Sequence, residues 1–138
     1  MTTVTSEEIS LVRDGLASHP EVLSALSVIE ECDGNLEDAA EALVVESGVK
    51  LDRNAGLDLG EAFLKQVAQK CRNVICAEEF KEELIDGFSR DLMNALLPVL
   101  ITQLTLMGNL PEALAVPVLM YVLKRGIRKF CNTPDADS

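Results

Sequence analysis

An all-α fold is what this sequence predicts: a small three-helix bundle over residues 6–48, a linker at 49–58, and a helical domain of four or five helices over 59–132. Three observations lead there. Apolar residues make up 48% of the 138-residue chain while aromatics make up 4%, so the core must be built from Leu, Val, Ile and Ala, which suits helix packing. Apolar positions recur at i, i+3, i+4 and i+7 rather than in alternation. Helix starts are written in one repeated form, an oxygen-bearing cap followed three positions later by an acid that can bond back to the cap's N–H.

Thr5 with Glu8, Ser18 with Glu21, Asp58 with Glu61 and Asn109 with Glu112 fit that form, and Asn35 with Asp38 is a weaker version. Each predicts a helix just beyond the cap. Pro20 and Pro111 fall in first turns, where a missing N–H costs nothing. The first helix is expected over 6–17, with Ile9, Val12 and Leu16 on one face. The second runs over 19–32 and presents Val22, Leu23, Leu26 and Ile29. The third begins at Leu36 and carries the stripe Leu36, Ala39, Ala40, Leu43 and Val44 before Gly48 supplies a stop.

Residues 49–58, VKLDRNAGLD, mix charge, Asn and Gly without periodicity and read as a linker. A second helical set follows. Residues 59–72 carry Phe63, Val67 and Cys71; after a break near Asn73, the acidic AEEFKEELIDGF offers Phe80, Leu84 and Phe88 to a core. Residues 92–111 then contain no charge, a length that alone would nominate a transmembrane helix. Asn94, Thr102, Gln103, Thr105, Gly108, Asn109 and two prolines interrupt that window, so a buried helical hairpin is expected over 92–123. Pro98 and Pro117 should bend or start its helices. Its apolar density makes Leu96, Leu100, Leu104, Val116, Leu119 and Leu123 the candidate self-association residues, with a homodimer or higher homo-oligomer as the expected state. Lys124, Arg125, Arg128 and Lys129 at its end suit the negative pole of a helix dipole, or else a docking patch for acidic partners, this chain's own N-terminal half among them.

Charge excludes some partners. The chain carries a net −11, with 13 acidic and 3 basic groups in residues 1–60 against 10 and 9 in the remainder. Such an N-terminal half repels phosphate backbones, so no nucleic acid is expected. MTTVTSEEIS has neither a basic n-region nor an apolar h-region, which reads as cytoplasmic, with Cys32, Cys71, Cys76 and Cys131 as reduced thiols. No close C-x-x-C pair exists among them, and His19 is the one histidine, so neither a zinc site nor any other metal or cofactor is expected. Glu78, Glu79, Glu82 and Glu83 share a helix surface but read as a solvated face. His19, ahead of Pro20, reads as structural. No nucleophile with a base and no phosphate-cradling glycine loop has the required spacing, so the chain is not expected to be an enzyme.

One corner carries more information. In DGNLEDAAEAL, Gly34 can end the second helix in a left-handed conformation, Asn35 can cap the third, and Ala39 and Ala40 allow close approach. Ala25-Leu26, then Gly34-Asn35-Leu36-Glu37-Asp38-Ala39, and finally Leu43 resemble the second and third helices of the ubiquitin-associated (UBA) and CUE-like superfamily of three-helix bundles. The resemblance covers residues 6–48. Ubiquitin-binding members place an apolar Met-Gly-Phe or Met-Phe-Pro type loop between helices one and two, where this chain has the polar Ala17-Ser18-His19-Pro20. It therefore implies a small protein-binding surface rather than a ubiquitin site, and Leu36, Ala40, Leu43 and Val44 are the candidate partner-binding residues. A second GNL at Gly108-Asn109-Leu110 lacks the upstream Ala-Leu pair and is not a repeat.

The function so expected is that of a non-catalytic helical interaction or adaptor protein. Its alternative is an apolar small-molecule or membrane-surface binder, in which the basic turn meets lipid headgroups.

Overall fold

The computed structural model describes residues 2–47, 63–76, 90–108, 110–125 and 130–131, and these form an all-α protein with no β-strand among them. The helices are α1 Ser6–Gly15, α2 Pro20–Glu31, α3 Leu36–Ser47, α4 Phe63–Lys70, α5 Arg72–Ile75, α6 Arg90–Gly108 and α7 Ala115–Arg125, with a 3-10 turn at Glu112–Leu114 leading into α7. The expected linker at 49–58, the Gly48 stop, the Asp58–Glu61 cap, the 77–88 helix and the Glu78–Glu83 face lie outside the described residues.

Local chemistry explains most of the boundaries. At α1 the capping box is complete: Glu8 N–H donates to Thr5 Oγ1 at 3.1 Å and Thr5 N–H donates to Glu8 Oε1 at 2.9 Å. At α2 the expected Ser18 cap is displaced by one position, because Pro20 occupies N1 and leaves His19 as the cap, without a side-chain bond. Ahead of α7 the 3-10 turn begins after Pro111, whose ring fixes the entry, while Asn109 of the expected Asn109–Glu112 cap lies outside the described residues. The break expected near Asn73 falls at Cys71, and Asn73 lies inside α5. Pro98 sits inside α6, which continues through it, and Pro117 sits in the first turn of α7.

The corner between α2 and α3 is a Schellman stop followed at once by a cap. Gly34 N–H donates to Ile29 O at 2.9 Å and Asp33 N–H to Glu30 O at 3.0 Å. Asp33 (φ 56°), not Gly34, is the left-handed residue that ends α2, and Gly34 (φ 82°) prolongs the positive-φ run. Asn35 Oδ1 then accepts from Asp38 N–H at 3.1 Å, capping α3 as expected. Residues 2–4 strap the corner: Val4 N–H donates to Gly34 O and Leu36 N–H donates to Thr2 O, both at 2.9 Å, around an antiparallel bridge between Thr3 and Asn35. Thr2 N–H is held by the Glu37 carboxylate at 2.8 Å.

α7 is the axis of the molecule. Every residue from Ala115 to Leu123 is buried, so the helix is apolar on all sides, and α2, α3, α4 and α6 pack around it. The N-terminal helices therefore share their core with the C-terminal ones. α3 lies against α4 and α7 as well as α2, while α1 lies on α2 and α6. One hydrophobic cluster runs from Val4 to Phe130. Across the halves, Asn94 Nδ2 donates to Gly15 O at 2.9 Å at the end of α1, and Lys124 Nζ donates to Glu8 Oε1 at 2.8 Å.

Candidate functional surfaces

The four residues of the α3 stripe lie in the core: Leu36 and Ala40 are fully buried, and Leu43 and Val44 are 7% and 1% exposed. The hairpin residues Leu96, Leu100, Leu104, Val116, Leu119 and Leu123 are buried within the same chain. All ten candidates are thus packed within the chain, and none of them lies on the described surface. The physical reason is α7: once it is enclosed by four helices, the apolar faces turned toward it have no access to a second molecule. Leu23, expected in the core, is instead 45% exposed.

What the sequence reading missed is the outer face of α6. Ala95, Pro98, Thr102, Thr105 and Leu106 are exposed along it, with Val99, Ile101 and Met107 half-buried at its edges. Leu106 is 76% exposed, the highest among the exposed large apolar residues Leu11, Leu23, Val45 and Leu106. Between Ala95 and Met107 the helix carries no charged residue. Its two hydroxyls turn back onto the helix, Thr102 Oγ1 donating to Pro98 O and Thr105 Oγ1 to Ile101 O, both at 3.0 Å. Covering such donors costs little, because they already have partners. Asn94, Thr102 and Thr105 were the available signal: polar residues spaced by eight and three mark one wet side of an otherwise apolar helix.

The opposite character prevails around α1–α3. Glu7, Asp14, Glu30, Glu31, Asp33, Asp38 and Glu46 are exposed there, and Arg13 pairs with Glu30 across α1 and α2. At the basic end of α7, Lys124 pairs with Glu8 of α1, while Arg128 and Lys129 of the expected basic turn lie outside the described residues. Burial disfavours ionised Glu8, yet the bonds from Lys124 and Thr5 and the lysine charge outweigh it and hold the carboxyl below its ordinary value. The Arg125 guanidinium lies 5.7 Å above the Tyr121 ring. His19 Nδ1 sits 3.5 Å from Glu21 Oε1 in the first turn of α2.

The thiols depart from expectation. Cys76 and Cys131 form a disulfide across 55 residues, with Cα atoms 5.7 Å apart, which corrects the reading of four reduced thiols. Cys71 is fully buried, and burial pushes its thiol up to about 12, with Met107 Sδ 4.0 Å away. Half-buried Cys32 is also raised, by burial first and then by the charges of Asp38, Glu31, Asp33 and Glu46. Among the described residues no group of His, Cys, Asp and Glu is arranged to hold a metal ion, and no helix is long and apolar enough to cross a membrane.

No family model, no curated protein and no solved structure matches this chain significantly, so its own geometry carries the functional reading.

Proposed function

We propose that this protein is a non-catalytic helical interaction module of the cytoplasm, an adaptor that self-associates as a homodimer or larger homo-oligomer through the outer face of α6. The observation that carries the reading is the absence of charge from Ala95 to Met107 along that face in a chain of net charge −11. Two copies repel wherever their acidic surfaces meet, and the exposed stripe from Ala95 to Leu106 is where they can approach without bringing like charges together. The inward hydroxyls of Thr102 and Thr105 lower the cost of drying it.

The UBA/CUE-like relationship belongs to the same reading. Its support is the Asp33–Asp38 corner, where the stop and the Asn35 cap join two helices in the expected order. The docking of a further protein partner on α1–α3 is part of the proposal, with the acidic surface favouring a basic partner.

Light scattering after size exclusion tests self-association. The expected result is a dimer or larger species in the wild-type chain and a monomer in Leu106→Glu. A wild-type monomer at high concentration, or an oligomer unmoved by Leu106→Glu, would remove the α6 face from the reading.

A further inference from the structure

We infer that the Cys76–Cys131 disulfide is a redox-addressable latch, opened by a small thiol reductant to free the segment that carries Phe130 from the core. The inference concerns a different part of the molecule from the α6 face and stands without it.

Among the described residues, Phe130 and Cys131 are held in three ways. The disulfide ties Cys131 to the C-terminal end of α5. Arg72, at the start of the same helix, donates from Nη2 to Cys131 O at 2.6 Å. Phe130, the residue before the bridge, is 2% exposed and belongs to the common core cluster. The covalent tie keeps the ring and the carbonyl at their partners at high effective concentration; without it, the Phe130 ring and the Arg72 hydrogen bond must hold Phe130 and Cys131 against the freedom they regain.

The bridge is placed to respond to a reductant. Cys76 and Cys131 are both half-buried rather than enclosed, which leaves the bridged residues partly open to solvent. Cys71, five positions from Cys76, is the obvious internal competitor, but its burial keeps it as an unreactive thiol. Internal exchange with Cys71 is thereby disfavoured. In the reaction, the thiolate of one reductant molecule attacks one bridge sulfur and forms a mixed disulfide. The Cys76–Cys131 bond breaks with its electron pair leaving on the other cysteine, which takes up a proton. A second reductant thiol resolves the mixed disulfide. Both cysteines end as thiols and two reductant thiols end as one disulfide. In a reducing compartment a bridge of this kind is transient and redox-sensing, and in an oxidising one it stays closed.

The test equilibrates the full chain across a reduced-to-oxidised glutathione series. Differential alkylation with peptide mapping reports the thiols, and hydrogen exchange reports the backbone. The expected result is that Cys76 and Cys131 titrate together as one two-electron couple while Cys32 and Cys71 stay outside it. Reduction should lower the protection of the peptide containing Phe130 and Cys131 by about tenfold or more while α1–α3 keep theirs. Cys131→Ser should show that lowered protection in both buffers; the reduced wild-type chain carries the same comparison should the variant not fold. Failure to recover Cys76 joined to Cys131 from the oxidised protein, unchanged protection on reduction, or loss of protection throughout the molecule would each overturn the latch.

Discussion

Gly34 faces the Val4 carbonyl so closely that a Cβ built on it would lie 2.4 Å from Val4 O, while Val4 N–H donates to Gly34 O at 2.9 Å. The strap and the corner are thus fitted to a residue without a side chain. Gly34→Ala should lose about 2 kcal/mol or more, combining the cost of a positive φ with displacement of the strap. Asp33→Gly, at the neighbouring left-handed position, should be neutral or stabilising by up to ~1 kcal/mol. Urea unfolding of the two variants checks the contrast; equal losses would mean that the strap does not press on the corner.

Glu8 Oε1 accepts from both Lys124 Nζ and Thr5 N–H, so one oxygen joins the start of α1 to the end of α7. Its folded pKa lies below the ordinary 4.5. A depressed carboxyl contributes stability that is present above its unfolded value and is lost as pH falls through the folded one. Unfolding free energy should therefore fall as pH drops below about 4.5, and Glu8→Gln should flatten part of that slope. A double-mutant cycle with Lys124→Met should give a coupling of about 0.5–1 kcal/mol, as for a largely solvated pair. A wild-type pH slope retained in Glu8→Gln would assign it to other carboxylates.

Leu119 and Leu106 should separate packing from surface. Leu119 is fully buried in the enclosed α7, and Leu119→Ala should cost about 2–5 kcal/mol through the cavity it leaves. Leu106 is 76% exposed, and Leu106→Glu should change stability by no more than about 0.5 kcal/mol. Thermal melts at matched concentration read both. Because homo-oligomer formation also moves a melting temperature, the Leu106 comparison is best made where both proteins are monomeric.

Cys71 should be silent toward alkylation in the native protein. With its thiol near 12, the thiolate fraction at pH 8 is on the order of 10⁻⁴, and the side chain is buried besides. Iodoacetamide should label it only under denaturing conditions. Prompt native labelling of Cys71 would show that its α4–α5 corner opens readily.

The sequence was most informative where structure is decided within a few residues. The Thr5–Glu8 box and the Asn35 cap each depend on atoms three positions apart, and both sit where expected. Ser18 failed as a cap for an equally local reason: Pro20 at N1 makes its predecessor the cap whatever the spacing of acids suggests. Asp33 took the left-handed role ascribed to Gly34 because the strap needed the bare residue one position later. Whether an apolar stripe meets its own chain or another was not legible, since periodicity marks a face without naming what covers it. Leu96, Leu100 and Leu104 are covered by the same chain. So are Val116, Leu119 and Leu123, through an arrangement of four helices about α7 that no local pattern encodes. The pairing of Cys76 with Cys131 was silent for the same reason, a contact between positions 55 residues apart.

The same bridge alters how the molecule bears load. Because Cys76 and Cys131 close a ring across 55 residues, tension applied to the two ends passes through sulfur and bypasses α6 and α7. At about 3.5 Å per extended residue, the oxidised chain should stop roughly 190 Å short of the reduced one when drawn out between two anchors. The most apolar part of the chain is then mechanically shielded: the flanking helices can be pulled apart while the central hairpin carries no tension.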